Sequence, residues 1–139
     1  MALLTVPSVL CCAAVLQQPD TSVLLVQRPL HKSMGGCWEF PGGKVEPFET
    51  PEDTVIREIA EEIDIVLDQT NIAPLTFVSY TYDNFHLNMF VFLCKTWQGE
   101  VILKEGQQDF AWVMPNDLDK YLVPSADEPI IKRLQGFEV

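Results

Sequence analysis

In the stretch GKVEPFETPEDTVIREIAEEIDI, which runs from Gly43 to Ile65, Glu61 and Glu62 follow Glu58 at distances of three and four residues. Helical spacing sets residues so separated side by side on one face. Like charges placed this way cost about 0.2–0.5 kcal/mol per pair, and Arg57 is the only cation inside the helical part. Such a face calls for a positive partner, and the hard divalent ions that bind oxygen, Mg²⁺ and Mn²⁺, suit carboxylates. The reaction open to this group is hydrolysis of a phosphoanhydride. That chemistry needs the phosphate charge neutralised, a water positioned and a base for its proton. Glu58, Glu61 and Glu62 offer two ligands or more, with one carboxylate left for water.

The carboxylates need a helix beneath them, and the pattern provides it. Val55, Ile56, Ile59, Ala60 and Ile63 share one arc at 100° per residue, which predicts an apolar face turned to a core. Thr50 is the expected N-cap, Pro51 the first helical residue and Asp53 the partner in a capping box. Asp64 stands near the helix end, where a glycine in left-handed conformation is usual. The Gly42-Gly43 pair is expected to turn the backbone sharply and bring its carbonyls to the same helix face.

Strands surround this helix. Ser8–Leu16 is an almost continuous apolar run, predicting a strand buried on both faces. Pro19-Asp20 signals a turn before a second strand, Val23–Gln27, and the two are expected to pair as a hairpin. Residues 29–36 read as a loop with Lys32 and Ser33, and 38–40 as a short extended piece before Pro41. Two longer strands follow over 75–82 and 86–97, joined through Asp83-Asn84, with the second central in the sheet. Strands over 101–103 and 110–113 flank a polar loop, and two short helices start near Asn116 and Ser125. The irregular alternation predicts a mixed sheet with helices on both faces.

Composition narrows the function. The 139 residues form one domain of a size that buries a real core. Nine cations against twenty acids leave a net charge of −11. Polymeric nucleic acid is an unsuitable partner for such a surface, whereas a free nucleotide carried with a divalent cation is compatible. Cys11, Cys12, Cys37 and Cys94 show no metal-ligand spacing, and four thiols in a reducing cytoplasm are expected. The apolar run over residues 1–16 has no cation ahead of it, the first being Arg28, so it does not read as a signal peptide. No run is long enough to span a membrane.

The spacing also resembles a known family. The Nudix hydrolases carry a box of the form G-x5-E-x7-R-E-U-x-E-E-x-G-U, with U aliphatic. Gly43, Glu49, Arg57, Glu58, Ile59, Glu61, Glu62 and Ile65 fill it, and Asp64 replaces the late glycine. The flanks resemble the MutT branch of that family. They are Glu39-Phe40-Pro41-Gly42-Gly43-Lys44, Trp97 with Gly99-Glu100, Lys104-Glu105-Gly106-Gln107, Trp112 and Ala126-Asp127-Glu128-Pro129. The resemblance implies an α/β/α sandwich, with a mixed and curved sheet between helices. It implies Mg²⁺-dependent cleavage of 8-oxo-dGTP to the monophosphate and pyrophosphate, with Mn²⁺ able to substitute, by a protein expected to be a cytoplasmic monomer.

By the same resemblance a carbonyl of the Gly42-Gly43 segment and Glu62 hold metal. Glu58 either ligates metal or acts as the base, and the base is the favoured role. Arg57 and Glu49 form a supporting ion pair, and Glu105 adds a carboxylate from a loop facing the helix. Arg28 meets the nucleotide's phosphates or sugar, Ser33 adds a hydrogen bond, and Glu39, Phe40 and Pro41 belong to the substrate side, with Phe40 lining the base pocket. The MutT branch carries Asn at the position of Asp127. An amide both donates and accepts, whereas an ionised Asp only accepts. The helix beginning at Glu128-Pro129 favours the charged form. Asp127 is therefore expected to be ionised at pH 7, accepting from the N7–H that the oxidised base has and guanine lacks. Two rival readings remain. Tyr82, seventeen residues past Ile65, resembles the tyrosine of dinucleoside polyphosphate hydrolases in the superfamily. A non-catalytic nucleotide-binding Nudix module is the other, although such modules usually lose box carboxylates.

Overall fold

Why the chain needs two layers of helix becomes clear from its first strand. The computed structural model describes residues 5–136. In β1 (Ser8–Leu16), the side chains of Cys12, Ala14 and Leu16 join one apolar cluster, and those of Ala13 and Val15 join another. Successive side chains of a strand point to opposite faces, so both faces of the sheet must be covered. The first cluster is closed by Val55, Ile59 and Ile63 of α1 (Pro51–Ile63). The second is closed by Leu118, from a 3-10 turn over Pro115–Lys120, and by Ile130 and Ile131 of α2 (Glu128–Leu134). A fully buried side chain such as Ile59 contributes about 1.5–3 kcal/mol. The result is an α/β/α sandwich.

The remaining strands are β2 (Val23–Gln27), β3 (Trp38–Glu39), β4 (Gly42–Lys44), β5 (Ile72–Thr81), β6 (His86–Cys94) and β7 (Phe110–Val113). They form a four-stranded sheet in the order β4-β1-β6-β5 and a three-stranded sheet in the order β3-β2-β7. Among the described residues only β1 and β6 pair in parallel, and the strand order places β6 inside its sheet, as its apolar run predicts. Trp97 and Trp112 stack at 5.8 Å between ring centroids on the α1 side.

Three expectations are corrected. The strands β1 and β2 do not pair as a hairpin: they share one bridge, Gln17 to Val23, and then separate into the two sheets. The chain gains more by giving each strand its own partners, because Val23 and Leu24, like Val15 and Leu16, then bury on opposite sides. Residues 101–103 form no strand. Their backbone instead serves the end of α1, where the last carbonyls have no partner within the helix: Ile102 N–H donates to Ile63 O at 3.0 Å and Lys104 N–H to Glu62 O at 2.9 Å. Lastly, Gly42-Gly43 makes no sharp turn. Both residues lie in β4, and neither has a positive φ.

At α1 the local signals hold as read. Thr50 Oγ1 accepts from Asp53 N–H at 3.1 Å, and Asp53 Oδ2 accepts from Thr50 N–H at 3.3 Å. Asp64 ends the helix in the left-handed region, at φ 61°. Its carboxylate meets Lys104 Nζ at 3.2 Å, an exposed pair, and such pairs contribute about 0–1 kcal/mol.

Candidate active site

The capping box and Pro51 fix where α1 begins, and packing of its apolar arc on the sheet sets where its glutamates point. Glu58 and Glu62, one turn apart, face β4 and the loop after it, and Glu105 arrives from the segment tied to the helix end. Ligating oxygens of Glu58, Glu62 and Glu105 all lie within 4.8 Å of one another. Glu61, expected beside them, is not in this trio. It points outward, half exposed, and accepts from Arg57 Nη1 at 3.2 Å. A step of 100° from Glu62 separates the two faces.

Arg57 organises the surroundings. Its Nε and Nη2 donate to Glu49 Oε2 and Oε1 at 2.6 and 2.9 Å, and its Nη1 donates to Glu58 Oε1 at 2.8 Å. Nη2 also donates to the Lys44 carbonyl at 3.2 Å, locking α1 to β4. The guanidinium, first among the donors, holds the Glu49 carboxyl down to about 2. The expected supporting pair is therefore present, and it fixes one oxygen of Glu58.

The glycines work by absence of a side chain. A Cβ on Gly43 would overlap the Glu58 carboxyl, and one on Gly42 would overlap the Cys12 carbonyl of β1. Close approach of backbone to a catalytic group explains these glycines, where a turn does not.

Electrostatics point to a cation. Burial, first, and then the like charges of Glu58, Glu39 and Glu105 push the Glu62 carboxyl up to about 9. Burial also raises Glu58. Carboxylates that cannot all ionise together are relieved by a divalent ion, and three oxygens of this kind are the donor set that a hard cation prefers. The residues present fit such an ion: Glu62 and Glu105 would hold it, with Glu58 placed either to join them or to serve as the base.

Beyond β4 a cleft of about 490 Å³ opens, within the usual range of about 300–1,000 Å³ for small-molecule sites. Gly42 and Gly43 form the wall between it and the carboxylates. Arg28, Ser33, Glu39, Phe40 and Asp127 line it, so the structure brings together five residues that the sequence reading had spread over a hundred positions. Arg28 Nη1 donates to Glu39 Oε1 and Oε2 at 2.9 and 2.8 Å, and its Nε donates to the Ser33 carbonyl at 2.9 Å. Ser33 thus contributes its backbone to the loop, and Nη2 of Arg28 has no partner among the described residues. Pro41 is not in the cleft wall. It is buried, and its carbonyl accepts Ala14 N–H at 2.8 Å.

Asp127 departs from expectation. It makes no capping hydrogen bond to α2, and it is 6% exposed. Burial, then the Glu39 charge, push its carboxyl up to about 8, which favours the neutral form at pH 7. Desolvation outweighs the helix end because α2 is only seven residues long and the carboxyl takes no N–H from it. Sequence reading also missed other cleft residues, Cys11, Leu87 and Met89 from the sheet and Phe85 beside them, and it singled out Tyr82 only for a different substrate. Alternation within β1 and β6 was the available signal for the first three.

An α/β/α sandwich that sets three carboxylates beside a nucleotide-sized cleft defines a class, the hydrolases that open phosphoanhydrides with a carboxylate-held divalent cation. The NUDIX domain family matches residues 12–133, and the chain belongs to it. The 8-oxo-dGTP diphosphatase of Proteus vulgaris is 42% identical over 94 residues, covering 68% of this chain and 82% of that protein. Nucleoside triphosphatase NudI of Escherichia coli O1:K1 / APEC is 38% identical over 110 residues, covering 73% of this chain and 77% of its own. A solved structure from work on MutT of Aliivibrio salmonicida and Vibrio cholerae matches with a TM-score of 0.77 at 33% identity, covering 91% of this chain and 96% of that one.

Proposed function

We propose that this protein hydrolyses 8-oxo-dGTP to 8-oxo-dGMP and pyrophosphate with Mg²⁺ bound, removing an oxidised precursor from the nucleotide pool. The observation that carries the reading is the Glu58, Glu62 and Glu105 trio, set one glycine wall away from the cleft. The ion supplies charge neutralisation on the phosphates and lowers the pKa of water. The chain does the rest. Glu62 and Glu105 would hold the cation. Glu58 has one oxygen held by Arg57, which leaves the other to take the proton of the attacking water. The water oxygen bonds to the β-phosphorus, the bond from that phosphorus to the α–β bridging oxygen breaks, and the nucleoside monophosphate leaves with that oxygen. Arg28, through its free Nη2, meets the sugar–phosphate side, and Phe40 packs against the base. The reading includes a monomer acting on a free nucleotide.

In ¹⁸O-water with Mg²⁺, the label is expected in pyrophosphate and not in the monophosphate. Inorganic phosphate as the primary product would overturn the assignment. Glu58→Gln is expected to lower turnover by roughly 10²-fold or more. Near-normal turnover of that variant would move the base to Glu105. The NudI relative favours a second reading, an ordinary nucleoside triphosphate as substrate, and a panel pairing dGTP with 8-oxo-dGTP separates the two.

A further inference from the structure

Tyr82 was set apart by its spacing alone, and the cleft gives it a different use. Its ring stacks on Phe85, with centroids 5.0 Å apart and planes at 24°, and leans on Tyr80 at 4.7 Å. Its hydroxyl oxygen accepts Ala126 N–H at 3.0 Å. That bond uses a lone pair and leaves the hydroxyl proton unspent. Among the described residues nothing accepts that proton. Next to Ala126 stands Asp127, whose Oδ2 receives Phe40 N–H at 3.4 Å. The other Asp127 oxygen has no partner among the described residues and opens to the cleft, on which Tyr82 also faces. A carboxyl with one oxygen unpaired and open to the cleft, beside a hydroxyl with its proton free, marks a wall built to meet a polar edge of a ligand.

We propose that Tyr82 reads the base: its hydroxyl donates to a ring carbonyl oxygen of an oxopurine, at the position where a 6-aminopurine presents N–H instead. The proposal rests on the nucleotide reading above and adds a residue to it. The bond from Ala126 holds the oxygen in place and so aims the proton, which lowers the ordering cost of the new bond. An amino group at that position meets the hydroxyl donor to donor unless the hydroxyl turns away. A site built to hydrogen-bond a substrate group rejects analogues that lack it, because the buried partner is left unpaired.

The test uses triphosphates that differ at purine position 6: 8-oxo-dGTP (carbonyl), 8-oxo-dATP (amino), and the 8-oxo-2-aminopurine deoxynucleotide (hydrogen). Wild type is expected to prefer the carbonyl form in kcat/KM by tenfold or more. In Tyr82→Phe that preference is expected to shrink about tenfold, chiefly through KM, while the amino and hydrogen forms change little. The phenylalanine ring keeps the stacking, but Ala126 N–H loses its acceptor. An equal loss on all three substrates therefore assigns Tyr82 to holding the backbone and overturns the proposal. Should the variant not fold, the wild-type comparison decides: equal efficiency on the carbonyl and hydrogen forms also overturns it. If dGTP and 8-oxo-dGTP are turned over alike, the oxidised-substrate reading fails. Position 6 is then compared with dGTP and dATP, which tests the role of Tyr82 independently of oxidation at position 8.

Discussion

Asp127 shows how one residue's charge is decided by competing short-range terms. The groups that face it are Glu39 and Arg28 from the β2–β3 side, the Phe40 N–H and the Tyr82 hydroxyl. Arg28 is already engaged by Glu39, so it does little to hold a charge on Asp127. With a folded pKa of about 8 against an unfolded value of about 3.9, the folded chain keeps a proton that the unfolded chain releases. The stability this contributes is fully present below the unfolded value and is lost as pH rises through about 8. Asp127→Asn removes that loss. Its melting temperature relative to wild type is expected to climb between pH 4 and pH 8, while groups common to both proteins cancel. A difference that stays flat over that range would mean the carboxyl is ionised in the folded state. Neutral Asp127 also donates as an amide does, so wild-type efficiency on 8-oxo-dGTP should fall relative to the Asn variant as pH passes 8.

At the scale of elements, β4 and α1 behave as one unit, and the two glycines divide the work between sheet and site. Gly42 lets β4 lie against the Cys12 carbonyl of β1, and Gly43 makes room for the Glu58 carboxyl. The two alanine variants should therefore fail differently. Gly42→Ala is expected to cost stability of about 1–3 kcal/mol, because two backbones must separate. In Gly43→Ala the nearest atoms to the new methyl are those of the Glu58 carboxyl, the far end of a side chain. That variant should keep a near-normal melting temperature while turnover drops tenfold or more, since Glu58 is pushed off its bond to Arg57. Thermal melts set beside turnover numbers check this, and equal damage in both readouts from Gly43→Ala would show that β4 carries no catalytic role.

Across the whole molecule the chain spends stability on its site. The Glu58, Glu62 and Glu105 oxygens are held together by α1 and by the backbone bonds from residues 102 and 104, against their mutual repulsion. Binding of an ion to the folded state alone raises apparent stability with its concentration. Mg²⁺ should accordingly raise the melting temperature, and a chelator should lower it. Glu62→Gln removes the most strongly perturbed of the three. It is expected to melt above wild type in chelator and to lose most of the Mg²⁺ increment. If it melts lower in chelator and gains as much from Mg²⁺, Glu62 is not a ligand.

What the sequence determined by itself was whatever depends on near neighbours. The capping box, the apolar arc of α1 and the left-handed Asp64 each rest on residues within four positions, so spacing alone exposes them. The Glu49–Arg57 pair was implied by the family resemblance and not by spacing, since eight residues separate the two groups and Glu49 lies outside the helix. Tertiary structure decided the rest. β1 and β2 look like a hairpin in sequence, but each finds better burial with distant strands, and no local pattern encodes that choice. Glu61 and Glu62 are identical in type and adjacent, yet one faces solvent and the other Glu105, because only packing says which arc meets the loop. Asp127 was misjudged for the same physical reason. A helix end can be read from sequence, but the burial that overrides it, reinforced by the charge of Glu39, comes from a cleft wall assembled from positions some ninety residues away.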